Sequence, residues 1–156
     1  MTRESQYVDL EQVRYMTHVT YQSLELRKAY VEEYATRYQL SDEKKSELLQ
    51  KEMEDASQFE SFFVSHYSTN RKAMNLSGPK VWRLALSTQP SSLPIAEPSS
   101  IATLSSGDPV EQYFHPYITT WSKNYIVKFK REGESNYFKL NMSGVVAQLS
   151  FTWQLP

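Results

Sequence analysis

The amino-acid sequence predicts a mainly β protein: an antiparallel, immunoglobulin-like β-sandwich with an inserted N-terminal helical hairpin. Several segments alternate apolar and polar residues, which is the period of a half-buried strand. Two consecutive segments near the N-terminus instead carry apolar residues at helical spacing. Because strands and helices do not alternate along the chain, a doubly wound parallel sheet is not expected. An α+β arrangement, in which the hairpin lies across one sheet, is the alternative.

The length of 156 residues is that of a single domain, and the pattern divides this domain into three parts. A first strand is expected at 12–22, the helical hairpin at 24–58 and a β-rich region at 60–155. Hydrophobic residues make up 40% of the chain and aromatic residues 13%, which is enough apolar surface to form a core. We therefore expect one folded domain that spans residues 1–156.

The hairpin prediction depends on two helix starts in close succession. Ser23 and Ser41 are typical N-cap residues, because a serine hydroxyl accepts a free backbone N–H of the first turn. Within the first helix, tyrosines recur at four-residue spacing and form an aromatic stripe of Tyr30, Tyr34 and Tyr38. The short connection between the two helices favours an antiparallel pair.

The last strand has the clearest two-residue period in the chain. Five residues that share one side of it are expected to face the core: Val145, Ala147, Leu149, Phe151 and Trp153. A shift by one residue would turn mostly polar side chains inward, so the register of this strand is strongly specified.

The composition excludes several classes of function. The chain carries 17 basic and 18 acidic side chains, so it lacks the basic surface expected of a nucleic-acid-binding domain. It has no cysteine, which excludes disulfides, thiol nucleophiles and thiolate metal sites. Its 4 glycines are scattered, so phosphate-binding glycine loops and the cofactors they hold are not expected. No apolar run approaches the ~20 residues that span a bilayer.

The histidines do not form a metal-binding motif. His18, His66 and His115 are far apart in the sequence and lack the spacing of zinc-binding motifs. A single histidine is more often structural than a ligand. We therefore expect no metal site, and no catalytic residue is assigned from a motif.

The segment around residue 115 is the candidate binding region. It carries five aromatic or imidazole side chains: Tyr113, Phe114, His115, Tyr117 and Trp121. Aromatic rings on a sandwich loop can stack on sugar rings or dock a peptide, because they offer a large rigid surface with a polar edge. This set predicts a ligand-binding site. The alternative is that the rings fill the end of the sandwich.

Two other functions fit parts of the sequence. Asp108 and Glu111 precede His115, and these three residues would suit a hydrolase-like enzyme if the fold brought them together in a pocket. The tyrosine stripe of the first helix would suit a structural or assembly subunit if it were exposed to a partner.

Three stretches of the sequence carry a resemblance to known proteins. They are SLELRKAYVEEYA at 23–35, WRLAL at 82–86 and FHPY at 114–117. In this layout the chain resembles uncharacterised bacterial lipoproteins, which are secreted domains tethered by an acylated N-terminal cysteine and have no assigned activity. The chain lacks that cysteine, so the resemblance implies that the anchor was removed and that Met1 stands near its place. No site residues carry over, because none are established for those proteins.

We therefore expect a non-enzymatic cell-envelope domain that binds a protein or a glycan. If an N-terminal signal was removed, the resemblance implies a periplasmic location with a lipid anchor on the native N-terminus. Without such a signal, the location is cytoplasmic. Neither a nucleic-acid partner nor a transmembrane segment is expected.

Overall fold

The computed structural model describes residues 2–9, 12–78, 80–91, 93–105, 107–144 and 147–156. Its strands and helices follow the order β1 (Thr2–Asp9), β2 (Gln12–Tyr21), α1 (Leu24–Arg37), α2 (Asp42–Gln58), β3 (Phe59–Ser68), β4 (Trp82–Ser87), β5 (Ser100–Leu104), α3 (Pro109–Phe114), β6 (Lys123–Lys130), β7 (Tyr137–Gly144) and β8 (Gln148–Gln154). A short 3-10 helix, Arg71–Met74, follows β3.

The strands form two antiparallel sheets. The large sheet has the strand order β1-β2-β3-β6-β5, and the small sheet has the order β4-β7-β8. With 40% strand and 29% helix, the protein is an α+β protein. The mainly β class was therefore the wrong choice between the two alternatives, because the helices form a layer of their own on the large sheet. The two antiparallel sheets and the helical hairpin are confirmed.

The main core lies between the two sheets. Val19, Phe62 and Val127 of the large sheet are fully buried, as are Phe138 and Trp153 of the small sheet. The Phe62 ring lies 5.2 Å from the Trp153 ring and 6.3 Å from the Phe138 ring, measured between centroids. Because these contacts join the inner faces of both sheets, the sheets pack face to face.

The alternation along β8 confirms most of its predicted register. Leu149, Phe151 and Trp153 are buried, and the residues between them are exposed. Ala147 is partly buried and packs against the same core. Val145 lies outside the described residues.

Helices cover the opposite face of the large sheet. Ser61, Phe63 and Ser65 of β3 alternate with the core residues, and all three are buried. The Phe63 ring stacks on the imidazole of His115, just after α3, with a centroid distance of 3.7 Å. Val110 of α3 is also fully buried. As a result β3 is covered on both faces, which explains why apolar residues occur on both sides of its sequence.

Helices α1 and α2 form the predicted hairpin. The Ser23 hydroxyl accepts the Leu26 N–H at 3.2 Å, and the Ser41 hydroxyl accepts the Lys44 N–H at 3.3 Å, as expected of N-caps. The buried residues of α1 are Arg27, Val31 and Ala35, which share one face at four-residue spacing. The tyrosine stripe lies beside that face: Tyr30 and Tyr34 are half-buried, and Tyr38 is exposed.

Edge strands of the two sheets make hydrogen bonds to other parts of the chain. On one side Arg3 of β1 donates its Nε–H to the Thr152 carbonyl of β8 at 2.8 Å, so the first and last strands meet. On the other side Ala96 pairs with Leu86 of β4 through two backbone hydrogen bonds of 2.9 and 3.2 Å. The loop between β4 and β5 therefore protects part of an edge that could otherwise pair with another chain.

Candidate functional site

A row of polar residues crosses the helix-covered face of the large sheet. The Gln22 N–H, just after β2, donates to the Ser61 carbonyl of β3 at 2.9 Å. Ser61 in turn lies opposite Lys128 of β6 in the ladder. Because side chains alternate along a strand and Phe62 faces the core, Ser61 and Lys128 face the helices. Three neighbouring chain segments thus place an amide, a hydroxyl and an ammonium group at one level.

Arg27 of α1 extends over this row and is 5% exposed. Its Nε–H donates to the Gln22 carbonyl at 3.1 Å. Its Nη1 group donates to Asp55 at 2.7 Å and to Glu52 at 3.3 Å, both on α2. The guanidinium is therefore held in one orientation between the hairpin and the sheet.

Asp55 completes this charge cluster. Its second carboxylate oxygen accepts a hydrogen bond from Lys128 Nζ at 2.5 Å. Burial alone would raise the pKa of the Asp55 carboxyl, but the hydrogen bonds from Arg27 and Lys128 outweigh burial and hold the pKa below its usual value. Asp55 is therefore ionised at neutral pH. With Glu52 it balances the charges of Arg27 and Lys128.

A cavity of about 190 Å³ lies between the cluster and the sheet. Its lining residues come from the helical hairpin, from α3 and from the large sheet with the residue after β2. They are Gln22, Arg27, Tyr30, Glu52, Asp55, Ser61, Leu104, Glu111, Ile126 and Lys128. The side chains of Glu52 and Lys128 are each 31% exposed, so solvent reaches the charged side of the cavity. Arg27 and Ser61 form a buried side.

Three side chains that line this cavity have buried polar atoms without a partner. Arg27 Nη2, Gln22 Nε2 and Ser61 Oγ make no hydrogen bond to any described residue. A buried polar group left without a partner costs about 1–3 kcal/mol, so native proteins supply a partner from protein, water or ligand. Two of these atoms are pure donors, so what occupies the cavity must offer oxygen acceptors.

Glu111 of α3 is a further carboxyl group in the cavity wall, outside the ion pairs of Arg27 and Lys128. Burial raises the pKa of its carboxyl to about 7, and the negative charge of Asp108 adds to the increase. The neighbouring Tyr30 hydroxyl acts in the opposite direction, and Glu52 adds a smaller increase. The Glu111 carboxyl therefore exchanges between its neutral and ionised forms near neutral pH.

The three residues of the hydrolase alternative are only partly brought together. Glu111 Oε2 lies 3.5 Å from His115 Nε2. Burial lowers the pKa of His115 to about 4, so this contact involves a neutral imidazole at pH 7. Asp108 is the N-cap of α3, where its side chain accepts the Val110 N–H at 2.8 Å. Of the three, only Glu111 lines the cavity.

The five predicted ligand-binding residues differ in their exposure to solvent. Tyr113 is 58% exposed and Trp121 is 76% exposed. Phe114 is half-buried, and its ring lies 5.9 Å from that of Tyr30. Tyr117 and His115 pack on the large sheet, and none of the five lines the 190 Å³ cavity. Their role in binding stays a prediction.

The packed members of that group are held by polar contacts as well as stacking. The Tyr117 ring stacks on His18 at 4.5 Å, and its hydroxyl lies 2.5 Å from the Thr20 hydroxyl. The same Tyr117 hydroxyl lies 2.9 Å from His115 Nδ1. Tyr117 and His115 therefore stabilise the sheet surface, while Tyr113 and Trp121 remain available at the protein surface.

The tyrosine stripe is partly used within the chain. Tyr30 contacts Tyr34 at a ring distance of 6.0 Å, and Tyr34 contacts Tyr38 at 4.5 Å. Tyr38 is 47% exposed, whereas Tyr30 is half-buried and lines the cavity. The assembly role proposed for this stripe could therefore involve only its C-terminal end.

Sequence reasoning missed most of the cavity wall. It assigned no functional role to Arg27, Asp55 or Lys128. The available signal was the four-residue spacing that joins Arg27 to Val31 and Ala35, which places Arg27 on the buried side of α1.

No family model, no curated protein and no solved structure matches this chain. None of the described helices is both long and apolar enough to cross a membrane. Among the described residues, no three His, Asp or Glu side chains are grouped so that they could hold a metal ion.

Proposed function

We propose that this protein is a non-enzymatic binding domain and that the cavity under the helical hairpin holds a small polar ligand. The observation that carries the proposal is the set of three unpartnered, buried polar atoms on Arg27, Gln22 and Ser61, whose side chains line one cavity. A ligand with oxygen acceptors would satisfy them, as buried polar groups in native proteins require.

The fixed charges support binding over catalysis. Arg27 and Lys128 are both hydrogen-bonded to Asp55, so their orientations are set before any ligand arrives. A preorganised wall lowers the entropic cost of binding. A general acid or base must instead be free to exchange a proton, whereas Arg27 and Lys128 are both held in ion pairs with Asp55.

The size of the cavity limits the ligand. Pockets for drug-sized molecules have volumes of roughly 300–1,000 Å³. At about 190 Å³, this cavity fits a smaller molecule or one terminal unit of a larger one.

The cellular location, the fold type and a second contact surface are also part of the proposal. The sequence resemblance supports a cell-envelope domain, tethered by a lipid anchor on the native N-terminus. The two facing antiparallel sheets support a sandwich of immunoglobulin-like type, with the hairpin as an insertion after β2. The exposed Tyr113 and Trp121 rings support a second contact with a protein or glycan outside the cavity.

The test is a two-dimensional NMR titration of the ¹⁵N-labelled protein with a panel of small polar molecules, comprising amino acids, monosaccharides and short carboxylates. For a panel member that binds, we expect the amide signals of Gln22 and Ser61 to shift. Ser61→Ala should weaken binding by about fivefold, which corresponds to one hydrogen bond of ~1 kcal/mol.

Ser150→Ala is the matched control, because Ser150 is an exposed serine on β8. This variant should leave the affinity unchanged. Shifts confined to the surroundings of Tyr113 and Trp121, or no shifts with any member of the panel, would contradict the proposal that the cavity is the binding site.

A further inference from the structure

We infer that the cavity ligand is a neutral, polyhydroxylated molecule of the size of one sugar unit. This inference rests on the proposed function and adds the chemical class of the ligand. It is carried by the charge balance of the wall, by the unpartnered donors and by two apolar side chains beside them.

The charge balance of the wall disfavours an anion. The positive charges of Arg27 and Lys128 are already matched by Asp55 and Glu52 through the hydrogen bonds described above. A ligand carboxylate near Arg27 would be the third carboxylate around one guanidinium. Like charges at such distances repel, and burial strengthens the repulsion. A carboxylate or phosphate ligand would therefore be held more weakly than a neutral one.

The unpartnered atoms disfavour a cation. Arg27 Nη2 and Gln22 Nε2 can only donate, and Ser61 Oγ can donate or accept. An ammonium group offers donors alone, so it would leave the first two atoms unsatisfied. A hydroxyl group accepts and donates, so several hydroxyls could bond the amide and guanidinium and also donate to Glu111.

The cavity also has an apolar part that suits the C–H face of a sugar ring. Leu104 of β5 and Ile126 of β6 lie on adjacent strands, and both line the cavity. Tyr30 of α1 lines it as well. Sugar-binding sites combine hydrogen-bonding groups with such a surface, because a pyranose carries hydroxyls at its rim and C–H groups on its faces. A zwitterionic amino acid would fit the polar side, but its carboxylate meets the same repulsion as any anion.

Isothermal titration calorimetry with four probes of different charge tests the inference: N-acetylglucosamine as the neutral probe, glucuronate as the anion, glucosamine as the cation and glycine as the zwitterion. We expect the neutral sugar to bind at least about tenfold more tightly than any of the charged probes, a ratio equivalent to ~1.4 kcal/mol. Ser61→Ala should reduce the affinity for the neutral sugar by about fivefold, and Ser150→Ala should not change it.

The outcomes separate the ligand class from the proposed function. Tighter binding of glucuronate, glucosamine or glycine, with NMR shifts at Gln22 and Ser61, would overturn the neutral class but leave the cavity as the binding site. Binding of the neutral sugar with shifts only near Trp121 would overturn both, because the sugar would then bind at the surface. Binding of none of the four probes would also overturn the neutral class. The broader NMR panel would then decide the proposed function by itself.

Discussion

Asp55 joins three elements through a single carboxylate. It accepts from Arg27 of α1 and from Lys128 of β6, and it belongs to α2 itself. Its side chain is 23% exposed, so the pairs are partly shielded from water. Removing one member of a buried ion pair costs more than the pair contributes, because the remaining charge loses its partner. The hairpin is thus attached to the large sheet through this residue.

We predict that Asp55→Asn destabilises the protein by about 2 kcal/mol, which is below the 3–5 kcal/mol of fully buried pairs because water screens part of this one. Urea denaturation at neutral pH measures the change. Glu54→Gln is the control, because Glu54 is the exposed neighbour on the same helix. It should alter the free energy of unfolding by less than about 0.5 kcal/mol. An equal effect of both variants would show that the loss reflects charge on α2 rather than the contacts of Asp55.

At the scale of single elements, segments with a strong period of their own could be predicted from the sequence. The hairpin was predicted from the serine caps and helical spacing, and β8 from its alternation, because both patterns depend on neighbouring residues only. Strand β1 was missed, since TRESQYVD has no apolar alternation and forms a strand through its pairing with β2. Helix α3 was also missed, because it has only 6 residues.

The cavity could not be predicted in the same way. Its polar row depends on the register between β2, β3 and β6, which no single segment encodes. Lys128 and Asp55 are 73 positions apart, and Arg27 and Asp55 are 28 apart. The contacts that compensate the burial of Arg27 and the partial burial of Asp55 and Lys128 therefore join residues that are far apart in the sequence. Glu111 was singled out from the sequence, but for its proximity to His115 and not for the cavity.

The end of β7 packs so closely against β4 that only glycine fits at position 144. Gly144 lies opposite Trp82 of β4. A Cβ atom on Gly144 would lie 2.7 Å from the Trp82 ring and 2.7 Å from the Val81 carbonyl oxygen, which is too close for either. The small sheet therefore needs glycine here so that β4 and β7 can pair up to their ends.

We predict that Gly144→Ala destabilises the protein by about 1–3 kcal/mol, since an added methyl group in a packed region forces its neighbours to shift. The melting temperature measured by circular dichroism should fall accordingly. Gly107→Ala is the matched control, because no atom beyond its two chain neighbours lies within 4 Å of a Cβ at that position. If Gly107→Ala lowers the melting temperature by as much as Gly144→Ala, the steric account of Gly144 is wrong.

At the scale of the whole molecule, His66, His115 and Glu111 are three groups whose burial makes the stability depend on pH near neutrality. His66 lies in the core between a Thr17 hydroxyl at 2.8 Å and the Ala73 carbonyl at 2.9 Å. Burial lowers the pKa of His66 and of His115 to about 4. The stability that depends on these neutral imidazoles is present above their usual pKa of 6.5 and is lost as the pH falls toward 4.

Glu111 changes the stability with pH in the opposite direction to the two histidines. Burial raises the pKa of its carboxyl from 4.5 to about 7, so the folded state favours the neutral form. The stability that Glu111 contributes is therefore present below pH 4.5 and is lost as the pH rises through 7. Between roughly pH 5 and 6.5, the effect of Glu111 on the free energy of unfolding therefore cancels the effect of one of the two histidines.

We predict that Glu111→Gln steepens the loss of stability on acidification by about 1 kcal/mol per pH unit between roughly pH 6.5 and 5, because the opposing group is gone. Above neutral pH the variant should be more stable than the wild type, since no carboxylate must ionise inside the cavity. Urea denaturation at a series of pH values measures both effects. Glu47→Gln on the exposed side of α2 is the control. Parallel curves for wild type and Glu111→Gln would contradict the assignment.

The contact between Arg3 and Thr152 places the two ends of the fold side by side. The turn from β6 to β7 is exposed at Glu132 and Gly133, and these two strands lie in different sheets and share no hydrogen bonds. A circular permutant that links residue 156 to residue 2 and opens at Gly133 would therefore keep every strand pair of both sheets. Its new ends would be exposed at Glu132 and Gly133, where a reporter group can be attached without interrupting a strand.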